Sequence, residues 1–131
     1  MKTIIAGSRT ITDYAAVCKA VADSGFAVTE VVSGHASKRK VGEEWLPSVD
    51  LLGERWSREF LHKAPTLFRP NWLIGKQAGY VRNVEMAEYA EALIAVWDGE
   101  SRGTKHMIDI ARAKGLAIFV SVVEQARSKT L

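Results

Sequence analysis

The run ALIAVW at residues 92–97 sets six apolar side chains in a row and stops at DGESRGT, where a helical pattern begins. A strand with one face in water alternates apolar and polar residues, so an unbroken apolar run of this kind calls for cover on both faces. Helices on either side of a parallel sheet supply that cover. Segments at 3–6, 28–32, 66–68 and 117–122 read as further strands, with helical patterns between them. In the first of these patterns Asp13 or Thr12 can cap a helix that carries Val17, Ala20, Val21 and Ser24 on one face and stops at Gly25. Asp50 reads as the cap of a second helix, with Leu52, Trp56 and Phe60 at successive i+4 positions. A third helix is predicted over about 84–90. A fourth covers 104–114, with Met107, Ile110 and Ala111 as its apolar stripe and Gly115 behind it.

This alternation predicts an α/β protein, a three-layer α/β/α Rossmann-like domain with a mostly parallel five-stranded sheet. The 131 residues, 47% of them hydrophobic, suit one domain with one core over residues 1–131. The stretch SGHASKRKVGEEWLPSVD breaks the rhythm, and residues 37–48 within it read as an irregular surface insertion. Residues 125–131 form a polar tail expected to fray. A net charge of +3 is too mild to demand nucleic acid, and SKRK, short and without interleaved aromatics, reads more simply as a solvated loop. Cys18 stands alone, so no internal disulfide is possible, and a reducing compartment is expected. The first apolar run is too short for a secretory signal, and no uncharged apolar stretch approaches the ~18 residues of a membrane span, so the expectation is a cytoplasmic protein.

In open parallel sheets ligands bind beyond the carboxyl ends of the strands. Here those ends read Gly7-Ser8-Arg9, Ser33-Gly34-His35, Pro70-Asn71-Trp72 and Asp98-Gly99, with Ser101, Arg102, Gly103 and Thr104 opening the last helix. Such small residues also serve the turns themselves. The basic residues among them, Arg9, Lys76, Arg82, Arg102 and Lys105, tip the reading toward an anionic ligand, since guanidinium pairs well with phosphate and a helix N-terminus adds partial positive charge. Neither the dinucleotide fingerprint nor the phosphate-binding P-loop motif occurs at a strand-to-helix junction. Trp72, Trp97 and Tyr80 can each stack a base, but an aromatic in a small domain more often packs, Trp97 above all, and Trp72 is the better stacking candidate. His35 sits at the rim, as a hydrogen-bonding or titrating group or a plain loop residue. It shares no metal-binding spacing with His62 or His106, and neither a metal nor a cofactor is expected.

The blocks GSR at 7–9, VVSGHA at 31–36, VDLLGERW at 49–56, GKQAGYVRNVEMAEYA at 75–90 and ALIAVWDGESRGTKHMIDIA at 92–111 cover most of the chain. In that order they resemble the SLOG superfamily, which includes the LOG phosphoribohydrolases and the Smf/DprA recombination mediators, and within it the YspA-like branch. Where that branch runs through Arg-Gly into an aspartate-led helix, this sequence carries SKRKVGEEWLPS instead. The resemblance implies a site for a nucleotide or nucleotide-derived ligand. Around it stand Gly7, Ser8 and Arg9, then Ser33 and Gly34, then Arg82 and Asn83, then Asp98, Gly99, Ser101, Gly103 and Thr104. In this picture the helix start holds phosphate, Arg9 and Arg82 clamp it, and Asp98 accepts from a ribose hydroxyl or base amine. Asp50 either caps its helix or touches the ligand.

The same resemblance bears on chemistry. LOG-type hydrolases carry a catalytic glutamate three residues after the Gly-Thr threonine, and here that position is Met107. A thioether neither attacks nor stabilises an oxocarbenium carbon. The expectation is therefore a module that senses, sequesters or presents a nucleotide-derived ligand, in a phage, defence or nucleotide-signalling setting, and works as a homodimer. Two alternatives stay open. One is N-glycosidic cleavage with a relocated carboxylate, Glu85, Glu43 or Glu44, and His35 as proton carrier. The other is single-stranded DNA binding, for which SKRK and Trp45 are the only hints.

Overall fold

The structure, a computed structural model, describes residues 1–123. The tail at 125–131 lies outside the described residues. In chain order the elements are β1 (Lys2–Gly7), α1 (Tyr14–Ser24), β2 (Glu30–Ser33), β3 (Arg39–Val41), β4 (Glu44–Leu46), α2 (Val49–Trp56), β5 (Thr66–Leu67), α3 (Ala78–Tyr89), β6 (Ala92–Trp97), α4 (Arg102–Ala113) and β7 (Ala117–Val122). Five strands form one sheet in the order β5-β2-β1-β6-β7, every neighbouring pair parallel. The expected α/β/α architecture is what the chain adopts.

Alternation along the strands sorts the core into two layers, because successive side chains of a strand point to opposite faces. Ile4, Ala6, Val32, Leu93 and Ala95 pack against Met86, Ala87 and Ala90 of the α3 segment and Met107, Ile108 and Ala111 of α4. Ile5, Val31, Ile94 and Val96 pack against Val17, Ala20 and Val21 of α1 and Val49 and Leu52 of α2. The run ALIAVW is buried on both faces, as its composition required. No helix among the described residues is long and apolar enough to cross a membrane.

Strand order places the crevice. From β1 the chain moves outward through β2 to β5, then returns to the other side of β1 to lay down β6 and β7. Direction therefore reverses between β1 and β6, and the loops after them must part to opposite faces of the sheet, opening a cleft at their carboxyl ends.

Three local features differ from expectation. The segment after Ala36 is not irregular: β3 and β4 pair antiparallel as an exposed hairpin, turning at Gly42 with φ of 61°. Gly42 and Glu43 supplied a two-residue hairpin turn that its charged neighbours disguised. The cap of α2 is Ser48, whose Oγ accepts from Leu51 N–H at 3.2 Å, and Asp50 sits inside the first turn. Helix α3 starts six residues before the expected 84, because the buried face of Ala78 outweighs the modest helix penalty of Gly79. Beyond α2 the chain tightens into a π-helical turn at Ser57–Leu61, where Trp56 and Phe60 stack with ring centres 5.4 Å apart.

Candidate functional site

Gly7 ends β1 where nothing larger fits: a methyl group there would lie 2.2 Å from the Val96 carbonyl oxygen and 2.8 Å from the Val49 side chain. The next residue, Ser8, is buried and ties the two strand ends together. Its N–H donates to Val96 O at 3.0 Å, and its Oγ accepts from Asp98 N–H at 3.0 Å. Asp98 in turn shapes the loop after β6. One carboxylate oxygen accepts from the N–H groups of Glu100 and Ser101, both at 2.8 Å, and the other accepts from Thr10 Oγ1 at 2.9 Å. Burial alone would raise this carboxyl, but the two N–H groups and the Thr10 and Ser8 hydroxyls outweigh it and hold it below the ordinary aspartate range. Asp98 is thus an ionised brace of its own loop, and Gly99, at φ of 84°, lets the chain turn there.

The loop delivers the start of α4 to the cleft. Gly103 and Thr104 line it, Thr104 Oγ1 donates to Ser101 Oγ at 3.3 Å, and Lys105 N–H is bonded to Ser101 O. The N–H groups ahead of Lys105 have no intrahelical acceptor and carry the positive end of the helix dipole. Below them the floor is Met86 and Met107, both buried.

The facing wall comes from β2, α2 and α3. Arg82 donates through Nη1 to Gly34 O at 2.6 Å and through Nε to Asn83 Oδ1 at 3.1 Å. Its guanidinium lies where a side chain on residue 34 would go, with Nη1 2.5 Å from that position. Asn83 is buried and bonds His106 Nδ1 at 3.0 Å. Two carboxylates, Asp50 and Glu54, lie on one face of α2, four residues apart. Asp50, 8% exposed, accepts from Ala36 N–H at 2.9 Å. Burial pushes its carboxyl above the ordinary range, against the pull of the Ala36 N–H and the Arg82 cation. Burial likewise lowers the Arg82 guanidinium, and Asp50 opposes the shift. Glu54, 2% exposed, accepts from Ser33 Oγ at 2.7 Å and meets His35 Nδ1 at 2.7 Å.

These walls enclose a cleft in two lobes. The first, about 550 Å³, runs from Gly7, Arg9 and Thr10 past Asp98 and Ser101 to Thr104, with Asp50 and Arg82 opposite. The second, about 440 Å³, is lined by His35, Ser37, Arg69, Pro70 and Trp72. Arg9, Ala36 and Arg82 belong to both lobes and mark their junction.

The sixteen residues expected to bind ligand therefore divide into groups. Gly7, Arg9, Arg82, Asp98, Ser101, Gly103 and Thr104 line the first lobe; His35 and Trp72 line the second. Ser8, Ser33, Gly34 and Asn83 are buried one layer back and hold the lining residues in place. Lys76 and Arg102 are exposed and line neither lobe, and Gly99 lines neither. Trp97 packs at the strand end and donates from Nε1 to Ser101 O at 3.1 Å, while Tyr80 rests on His106 with ring centres 4.4 Å apart. Lys105 is engaged with Asp109 at 2.8 Å.

Several lining residues escaped the sequence reading as ligand contacts: Thr10, Ser48, Glu100 and Arg69, together with Asp50, read chiefly as a cap. The one available signal was the i, i+4 spacing of Asp50 and Glu54, which sets both carboxylates on one face of a helix otherwise facing the core. Of the carboxylates considered for a relocated acid, Glu43 and Glu44 lie exposed on the hairpin and Glu85 is exposed on α3; none lines the cleft. No group of three or more His, Cys, Asp or Glu residues among the described residues is placed to hold a metal ion. Comparison with protein-family models, with curated proteins and with solved structures finds no match to this chain.

Proposed function

We propose that the cleft binds a nucleotide or nucleotide-derived phosphate ligand and leaves its N-glycosidic bond intact. The observation that carries this reading is the junction of the two lobes. There Arg9 and Arg82 share a space with the N-terminus of α4 at Gly103 and Thr104, over a methionine floor with no carboxylate at position 107. Two guanidinium groups and a helix N-terminus match the charge and the hydrogen-bond demand of phosphate. The motif resemblance to the YspA-like branch of the SLOG superfamily supports the same reading. Under it we place the protein in the cytoplasm, in a nucleotide-signalling or phage-defence role, as a homodimer.

The test is a panel of nucleoside monophosphates, ADP-ribose derivatives and cyclic nucleotides, scored by thermal shift and by product analysis. One compound raises the melting temperature, and Arg9→Ala and Thr104→Ala each reduce that shift. Release of free base would overturn the non-cleaving reading, and wild-type behaviour from both variants would overturn the site. Salt-dependent binding of oligonucleotides in place of a small ligand would favour single-stranded DNA.

One observation favours the hydrolytic alternative. Asp50 lines the first lobe with its carboxyl raised by burial, the condition a general acid needs near neutral pH. Asp50→Asn decides the point: it abolishes base release if Asp50 is the relocated acid.

A further inference from the structure

His35 stands out from the phosphate cradle. Its backbone occupies the left-handed region at φ of 55°, a conformation that favours glycine, yet the position carries an imidazole. The ring is fixed from behind. Nδ1 lies 2.7 Å from Glu54 Oε2, and the same oxygen accepts the Ser33 hydroxyl at 2.7 Å, so a nearly inaccessible carboxylate orients the imidazole and favours its proton on Nδ1. Nε2 has no protein partner among the described residues, and the side chain, 30% exposed, lines the second lobe. Arg9, Arg69 and Arg82 line that lobe too.

An imidazole backed by a buried carboxylate, with its far nitrogen open beside three guanidinium groups, is an arrangement for proton transfer next to bound phosphate. We propose that the second lobe is a hydrolytic centre for a phosphoanhydride of a nucleoside diphosphate type, with His35 as general base and Glu54 as its positioning residue. Water attacks the terminal phosphorus and gives its proton to His35 Nε2. The new bond joins the water oxygen to phosphorus, the bond from phosphorus to the bridging oxygen breaks, and the nucleoside phosphate leaves with that electron pair. The proton on His35 then passes to solvent. The lining of this lobe holds no carboxyl to protonate a departing alkoxide, which favours a leaving group that departs as an anion. The proposal rests on the reading of the cleft as a nucleotide-phosphate site, and it concerns the P–O bond, not the glycosidic bond.

The experiment follows inorganic phosphate release from nucleoside 5′-diphosphates, and p-nitrophenolate release from p-nitrophenyl phosphate, whose leaving group also needs no proton. Nucleotide binding is read separately by thermal shift. The wild type turns over, and its rate falls on acidification. His35→Gly, which relaxes the left-handed backbone and whose folding is checked by its melting temperature, lowers kcat on the order of 100-fold or more with KM little changed, and added imidazole restores it. Glu54→Gln lowers kcat and displaces the acidic limb of the pH profile. Arg69→Ala, an exposed change, raises KM. If the diphosphates bind and no substrate is hydrolysed, the hydrolytic centre is overturned while the nucleotide reading stands. His35-dependent cleavage of p-nitrophenyl phosphate without nucleotide binding keeps the centre and sinks the nucleotide reading. Absence of turnover from all substrates, or turnover by His35→Gly without imidazole at the wild-type rate, overturns the proposal.

Discussion

At the scale of single residues, the cleft is organised by groups whose bonds hold its lining in place. Ser8 ties β1 to the loop after β6, Asp98 folds that loop by accepting two of its N–H groups, and Gly34 leaves room for Arg82. Gly34 offers a clean test, since the three atoms nearest a methyl group there all belong to the movable guanidinium end of Arg82. Gly34→Ala is expected to displace the guanidinium and weaken phosphate-ligand binding roughly 10- to 100-fold, the range of one charge-assisted hydrogen bond. The melting temperature should change little. Isothermal titration beside thermal unfolding separates the two effects, and an unaltered affinity would remove Arg82 from the site. Met107 illustrates the converse: a residue read as packing because it falls on the apolar stripe of α4 is indeed core, and it also floors the cleft.

At the scale of elements, the hairpin β3-β4 and helix α2 carry what is particular to this chain. The hairpin is exposed and forms its own two-stranded sheet, so it contributes little to either core layer. What matters lies at its base: Ser48 Oγ caps α2 and donates to Ala36 O at 2.6 Å, and Ala36 N–H donates to Asp50. Replacing residues 39–46 by a short glycine-serine turn, with Ala36 and Ser48 kept, should shift the melting temperature by no more than about 4 °C, on the order of 1 kcal/mol. Calorimetry of the shortened chain checks this. A large loss of stability would show that the hairpin covers apolar surface elsewhere.

At the scale of the whole molecule, two aspartates on opposite walls of the cleft push stability in opposite directions with pH. Asp98 is held below the ordinary aspartate range of about 4, so its contribution is present above that range and is lost as pH falls through the lowered value. Asp50 is raised by burial, so its contribution is present below about 4 and is lost as pH rises through the raised value. From acid to neutral pH, Asp98→Asn should therefore lose ground to the wild type, while Asp50→Asn gains on it. Urea unfolding of the three proteins across that range reads both slopes. A common sign would show that one of the two carboxylates is not in the environment described.

Much of this molecule was legible in its residues, and the boundary has a physical basis. Strands β1, β6 and β7, the Asp13 cap and the Gly25 stop of α1, and the turn at Ser101 to Thr104 that opens α4 follow from local rules, because apolar runs, caps and turns are read over a few neighbours. Sequence alone therefore determined the α/β/α class and one wall of the cleft. It could not decide the start of α3, where burial of Ala78 overrides the glycine beside it, nor the roles of Asp50 and Glu54. A carboxylate near a helix start looks like a cap until the sheet is assembled. Only the order β5-β2-β1-β6-β7 brings Arg82 across to Gly34, 48 positions away, and sets Glu54 against His35. Those pairings join residues from separate elements, so they came into being with the tertiary structure.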